Sequence, residues 1–436
     1  MNIPLDRLYH YIENIASEIY GDTVLIYRFF PHGSKNINDL NNLHELEDDW
    51  VKKALSPAVW CHDQEPLDYE FYKSQRRIID NEFDIIVYAN GLVGPAKNLN
   101  HRRSVFEKGF LLHSEQRSQE LEKYQQDDEL IPVYYWSHGI IARDWFRYAQ
   151  HENFQKHTKK IFLIYNRAWS GTREYRLQFL HLLVERGLVE QCQTSCNPID
   201  PELNIHYTTH KFNNPQWQPT HLLENFFKPT TADSTSSGDF NTNDYNSTDI
   251  EVVLETLFDT SRLHLTEKSL RPIACSQPFI LAGAQGSLEY LRSYGFKTYS
   301  DVWNESYDQI EDSKKRLTAI VDLMDQIAQW DDRTKKNKLL QAQKIAEQNR
   351  QWFFSQEFFN LIINELKTNL KLAFNELELC NNYQPWIDRW NHIMLCPEAF
   401  EYLKTTHSSD LTIETINFVM TLVQNKLAEK LKISNS

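Results

Sequence analysis

The feature that most limits what this chain can fold into is an alternation of strand-like and helix-like segments that runs through the first 155 residues and restarts at Lys160. In the first run, "TVLIYRFF" (Thr23–Phe30), "AVWCHD" (Ala58–Asp63), "FDIIVYA" (Phe83–Ala89), "FLLHSE" (Phe110–Glu115) and "VYYWSHG" (Val133–Gly139) are short, β-branched or aromatic, and read as strands. Helix-like stretches such as "DYEFYKSQRRIIDNE" and "SQELEKYQQ" fall between them. Such alternation predicts a parallel sheet with helices on both faces, joined by right-handed crossovers.

In the second run, "IFLIYNRAW" reads as a strand and "TREYRLQFLHLLVERG" as a helix. Leu177, Leu180, Leu183 and Val184 give that helix an apolar face, and Gly187 ends it. The tract Lys228–Asp249, rich in Ser, Thr, Asp and Asn, reads as a loop inside the second half. "IEVVLETLF" and "PFILAGA" follow as strands, with "SLEYLRSYGF" as a helix. Residues 313–374 read as helices rich in Lys, Gln and Glu, and the tail from Asn375 as helical and aromatic. A chain of 436 residues exceeds one ordinary core. The expectation is therefore an α/β protein of two Rossmann-like domains facing a cleft, residues 1–155 and 156–374, with a helical extension over 375–436.

Composition narrows the chemistry. Only 12 glycines are present, and neither GxGxxG nor a P-loop occurs, so a glycine-rich phosphate cradle is not expected. A net charge of -14 disfavours broad nucleic-acid binding, although "KSQRR" (Lys73–Arg77) and "KHTKK" (Lys156–Lys160) could line a local basic groove. No apolar run is long enough to span a bilayer, and the first residues lack the apolar block of a signal peptide. No membrane partner and a cytoplasmic location are expected. Six scattered cysteines read as reduced thiols. Cys192, Cys196, His206 and His210 have the spacing C-x3-C-x9-H-x3-H, but the middle gap is short for a zinc finger and finger hydrophobics are lacking. No metal is expected there.

Ligands of open parallel sheets sit beyond the carboxyl ends of the strands, so candidate residues should follow strands directly. "AVWCHD" runs into "QEP", placing His62, Asp63, Gln64 and Glu65 at a strand end. Either Asp63 or Glu65 is a general base in the cleft, or Asp63 caps the next helix and Glu65 is exposed. After "VYYW", Ser137 or His138 can cap the following helix. Asn166, Arg167, Arg173 and Arg176 follow the first strand of the second half. Arginine in a first helical turn opposes the macrodipole, a conflict that a bound anion would resolve, and Arg173 is best placed to grip phosphate. Glu267 and Lys268 are adjacent, so they form no i,i+4 pair. With either Thr266 or Ser269 as the cap, the two stand at a helix N-terminus, which favours anions. The Ser269 register would place Pro272 harmlessly in the first turn. Lysine for phosphate and glutamate for hydroxyls is the chemistry of a nucleoside diphosphate sugar.

At these residues the chain resembles a family. "VVLETLFDTSRLHLTEKSLRPIACSQPFILAG" resembles the donor-site signature of the alpha-1,3-fucosyltransferases, in which an acidic residue precedes Thr-Glu-Lys, a short helix and a strand ending in glycine. "HDQEPL" and "TEKSLRPIACSQPFILAGAQGSLEYLRSYGFKTYSDVWNESYD" are similar to glycosyltransferases encoded by bacteriophages. "YNRAWSGTR" matches the strand-end asparagine and helix-start arginine of the fucosyltransferases with Asn166 and Arg173. The resemblance implies a GT-B fold, a sugar-nucleotide donor as co-substrate, and neither metal nor other cofactor. It implies that Arg173 and Lys268 hold the diphosphate, near Asn166 and Thr266, and that Glu267 and Glu255 hold ribose or sugar hydroxyls. Where the family has Glu-Asn-Ser, this chain has Glu255-Thr256-Leu257, with a longer gap to Glu267, so GDP-fucose is not implied. Trp303, Glu305 and Tyr307 of the second phage-like stretch either line the donor or acceptor site or form an aromatic turn over the core. The fucosyltransferase likeness implies inversion by one base, Glu65 before Asp63, with His62 and His138 as possible contacts. Acceptors open at this point are a glycan or a hydroxymethylated DNA base. A non-catalytic nucleotide- or glycan-binding module, or a scaffold, is the alternative class.

Overall fold

The structure, a computed structural model, describes residues 6–21, 24–29, 58–62, 67, 69–70, 109–126, 133–219, 223, 240–259 and 262–380. Within these residues the fold is mixed α/β, with two parallel sheets. Helix α1 (Asp6–Tyr20) precedes β1 (Leu25–Phe29), β2 (Ala58–His62), β3 (Gly109–His113), α2 (Gln119–Gln126), β4 (Val133–Tyr135) and α3 (His138–Trp145). The first sheet has the order β1-β2-β3-β4, and every pair is parallel. Among the described strands this order never reverses. "FDIIVYA", the basic run Lys73–Arg77, and Asp63 and Glu65 lie outside the described residues.

The second sheet comprises β5 (Lys160–Asn166), β6 (Cys192–Cys196), β9 (Thr248–Leu254) and β10 (Phe279–Ala282). A short antiparallel hairpin of β7 (Ile199–Asp200) and β8 (Ile205–His206) follows β6. The sheet order is β10-β9-β5-β6, all parallel. The chain moves outward from β5 to β6, then returns to place β9 on the other side of β5. The order thus reverses between β5 and β9, and in open parallel sheets ligands are commonly taken beyond the carboxyl ends of the strands at such a reversal.

The helices of this half follow local rules. Helix α4 (Tyr175–Glu185) ends at Gly187, whose φ of 67° suits glycine. Leu188 N–H bonds the Leu183 carbonyl and Gly187 N–H that of Val184, the paired closure expected of a glycine stop. The tract expected to be a loop up to Asp249 instead forms α5 (Thr242–Ser247) and the start of β9. Asn241 caps α5 through Asn243 N–H, and Tyr245 is fully buried beneath it, which overrides the polar composition. Helices α6 (Glu267–Ala274), α7 (Ser287–Ser293), α8 (Ser313–Ala328), α9 (Asp332–Phe354) and α10 (Gln356–Cys380) complete the described chain. Helix α10 passes through residue 375 without a break.

The principal buried cluster runs continuously through both sheets, from Ile12 in α1 to Phe374 in α10. Helix α10 returns to the first half: the Phe374 ring lies 5.3 Å from that of Tyr20 and 5.2 Å from that of Phe110. Asn369 donates to the Tyr135 carbonyl at 2.7 Å. No helix among the described residues is long and apolar enough to cross a membrane.

Candidate functional site

The carboxyl ends of β3 and β4 meet the segment that follows β9. Gln116 N–H donates to the Leu263 carbonyl and Leu263 N–H to that of Arg117, at 2.9 and 2.8 Å, an isolated antiparallel bridge. Around it stand His113, Glu115 and His138 from the first half, and Arg262, His264, Glu267 and Lys268 from the second.

Glu115 is buried at the centre. It pairs with Arg262, accepts the Leu67 N–H at 2.6 Å, and lies against a guanidinium that also donates to the Leu67 carbonyl at 2.6 Å. Burial alone would raise the Glu115 carboxyl, but the charges of Arg262 and His264 bring it below its ordinary value. His113 Nδ1 accepts Glu115 N–H at 3.3 Å. Burial pushes this imidazole down from 6.5 to about 4, against the opposing pull of Glu115 and with a further lowering by His264. The folded state therefore prefers His113 neutral, and between pH 6.5 and 4 the unfolded chain binds the extra proton. That share of stability is present above pH 6.5 and is lost as pH falls through about 4. It amounts to about 3 kcal/mol. His113→Gln is expected to flatten the difference between urea midpoints measured at pH 7 and pH 4.5. An unchanged difference would discard this role.

The opposite wall is the N-terminus of α6. Thr266 is its cap, accepting Lys268 N–H at 3.3 Å, so the register with Pro272 inside the helix is the one adopted. The reason is Glu255, fully buried at the end of β9. Its carboxylate accepts Thr266 N–H at 3.1 Å, Thr266 Oγ1 at 2.7 Å, the Ser269 hydroxyl, and Thr256 N–H at 3.1 Å. Ser269 is thereby engaged and does not cap. The expectation that Glu255 meets donor hydroxyls gives way to a different role: it sets the start of α6.

Glu267 and Lys268 pair with each other, Nζ to Oε1 at 2.7 Å, although they are neighbours in sequence. The other Glu267 oxygen lies 3.7 Å from His138 Nε2. His138 is buried at the first position of α3, which Ser137 caps through Gly139 N–H at 3.1 Å. Its ring stands edge-on to that of His264 at 6.0 Å. Glu267, Lys268 and His138 are thus brought together.

Comparison with known proteins gives a short result. No family model, curated protein or solved structure matches this chain. What the site can do follows from its own chemistry.

At the end of β5, Asn166 is fully buried. Its amide donates to Cys196 Sγ at 3.4 Å, and Oδ1 has no partner among the described residues. Arg173 lies in a 3-10 turn, Gly171–Arg173, ahead of α4, and not in the first turn of that helix. The charge conflict expected there is met within the chain, because Arg173 pairs with Glu202. Arg176 is buried and acts as a strut. It donates to the carbonyls of Ala168 and Leu254 at 2.7 Å and of Glu255 at 3.1 Å, tying β5's loop to the end of β9.

Other candidates lie elsewhere. His62 ends β2, opposite Phe29. Trp303 and Tyr307 are buried against β10: Trp303 stacks on Tyr299 at 4.8 Å, and Tyr307 Oη accepts Leu281 N–H at 3.3 Å. Glu305 accepts Tyr299 N–H at 2.7 Å. The three form an aromatic turn over the core. His210 bonds Glu174 at 2.8 Å and His206 bonds Thr208 Oγ1 at 2.8 Å, while burial pushes the Cys192 and Cys196 thiols up to about 12. No cluster suited to a metal occurs among the described residues. Sequence reading missed His113, Glu115, Arg262 and His264. The available signal was the polar run "HSE" directly after a strand, matched by the charged "SRLH" before the Thr-Glu-Lys.

Proposed function

We propose that the chain is a glycosyltransferase of GT-B type, moving a sugar from a nucleoside diphosphate sugar to an acceptor hydroxyl with inversion. The observation that carries this reading is the placement of Lys268 on the first turn of α6, whose cap Thr266 is bound by Glu255 at the end of β9, the strand at which the second sheet reverses its order. A helix N-terminus and an ammonium group at such a reversal suit a pyrophosphate that gains charge as it leaves. The unpartnered Asn166 Oδ1 at the adjacent strand end offers an acceptor to a ligand donor.

In this reading the two halves are the acceptor and donor domains, and the His113–Glu115–His138 wall faces the donor across the cleft. Glu65, or Asp63, is the proposed base. Leu67, just beyond them, is anchored to Glu115 and Arg262 at that wall. A glycan acceptor fits better than a DNA base. Of the second basic run, Lys156 is turned onto the carbonyls of Tyr245 and Thr248, both at 2.8 Å, and Lys160 pairs with Glu190, so neither offers a free charge to phosphates.

A thermal-shift screen of the purified chain against UDP-, GDP-, CMP- and dTDP-sugars tests the reading. A matched donor at a hundred times its Kd should add about 2.7 kcal/mol to stability and raise the melting point. No shift with any donor would discard the function. A shift without donor hydrolysis or transfer would identify the chain as a binding module.

A further inference from the structure

Arg167 and Arg173 converge on one carboxylate. Arg173 Nη2 forms a close ion pair with Glu202 Oε2, and Arg167 Nη2 lies 3.5 Å from Oε1, so each oxygen faces a different guanidinium. The side chains of Arg167, Arg173 and Glu202 keep 28%, 17% and 23% of their exposure, so a solute can reach all three. Glu202 stands on the turn between β7 and β8. Asp200, fully buried, fixes that turn against the arginine loop: one oxygen accepts Glu202 and Leu203 N–H at 2.9 and 3.1 Å, the other Trp169 and Ser170 N–H at 2.9 Å each. Burial alone would raise the Asp200 carboxyl, but these four donors bring it below its ordinary value, so the tie holds at neutral pH.

We propose that Arg167 and Arg173 form an oxyanion subsite for a phosphoryl group, and that Glu202 occupies it in the free protein. Guanidinium groups grip carboxylate and phosphoryl oxygens through the same planar fork. The phosphoryl group carries more charge and more acceptor oxygens, so it displaces the carboxylate. The subsite lies at the end of β5, beside the strand reversal. It rests on the proposed function only in taking the donor diphosphate as the source of the phosphoryl group. It adds Arg167 to the grip and makes Glu202 a competitor of the ligand.

Titration calorimetry of the full chain with inorganic pyrophosphate tests this. Glu202→Gln keeps the size and removes the charge, and is expected to bind pyrophosphate about tenfold more tightly than wild type. Glu190→Gln, an exposed site with the same change in net charge, should stay within about twofold of wild type, since distant surface charges are screened. Adding Arg167→Gln or Arg173→Gln to Glu202→Gln should abolish the gain. Equal affinities for Glu202→Gln and Glu190→Gln would overturn the proposal, as would no measurable binding by any variant. So would a Glu202→Gln protein that melts lower and binds no tighter, which would make Glu202 a strut. A gain for pyrophosphate without binding of any sugar nucleotide leaves the subsite standing and removes the glycosyltransferase reading. Sugar transfer without the gain does the reverse, and a nucleotide-sugar titration of Glu202→Gln separates donor from free pyrophosphate.

Discussion

Arg271→Ala is expected to destabilise the chain by about 3–5 kcal/mol, the scale of stranding a buried charge. Arg271 and Glu251 are both buried, 2.6 Å apart from Nη2 to Oε1. Tyr245 Oη donates to the second Glu251 oxygen at 2.6 Å and accepts Arg271 Nε–H at 3.1 Å. The guanidinium also lies 4.6 Å from the Tyr165 ring centre. Truncating the arginine leaves a carboxylate with no solvent access and one remaining hydroxyl donor. That loss is a large fraction of the 5–15 kcal/mol typical of a folded domain. Urea unfolding measures it. Glu251→Leu with Arg271→Met removes both charges, and should recover most of the loss. A single variant within about 1 kcal/mol of wild type would mean that the network is not fully formed.

Lys268→Ala is expected to lower turnover by a hundredfold or more, about the effect of deleting one donor to a developing charge. The lysine is partly exposed at 22%, and its Nζ contacts lie within its own turn, Glu267 and Thr266. Its removal takes one partner from the buried Glu267, so a melting curve is recorded beside turnover, and a variant that melts as wild type but turns over slowly separates the catalytic role from the structural one. With the donor identified by melting shifts, the measurement is transfer or donor hydrolysis under saturating donor. Lys268→Arg should recover only part of the activity, because a planar fork does not reproduce a compact point charge. Wild-type turnover in Lys268→Ala would remove the residue from the mechanism.

Most of the parallel strands were legible because their runs are short, apolar and β-branched, and their starts were found within about two residues, but the readings of β4, β5 and β9 ran on into the residues that follow them, and the polar β6 was not read as a strand. The Thr266–Lys268 helix start was legible as one of two registers, since Thr266 and Ser269 can both cap and only the buried Glu255, which engages Ser269, decides between them. What the sequence hid was long-range pairing. Glu255 reads as a ligand group at a strand end, yet its partners Thr266 and Ser269 lie 11 and 14 residues on. Arg173 reads as an anion grip, yet its partner Glu202 sits 29 residues downstream on a hairpin with no strong pattern. Helix α5 was hidden for a different reason: one buried tyrosine and one asparagine cap outweigh a composition that otherwise reads as loop. Trp303 and Tyr307 show the common fate of aromatics, which is packing.

Helix α10 has a consequence for biosynthesis. Its Asn369 holds the Tyr135 carbonyl across a separation of 234 residues, and its Phe374 covers Phe110. Translation proceeds at about 5–20 residues per second, so the first sheet leaves the ribosome on the order of ten seconds or more before its cover exists. Throughout that interval Phe110 and Tyr20 lack the ring that later buries them. The amino-terminal half is made first and finished last, a schedule that invites a chaperone to guard the nascent chain.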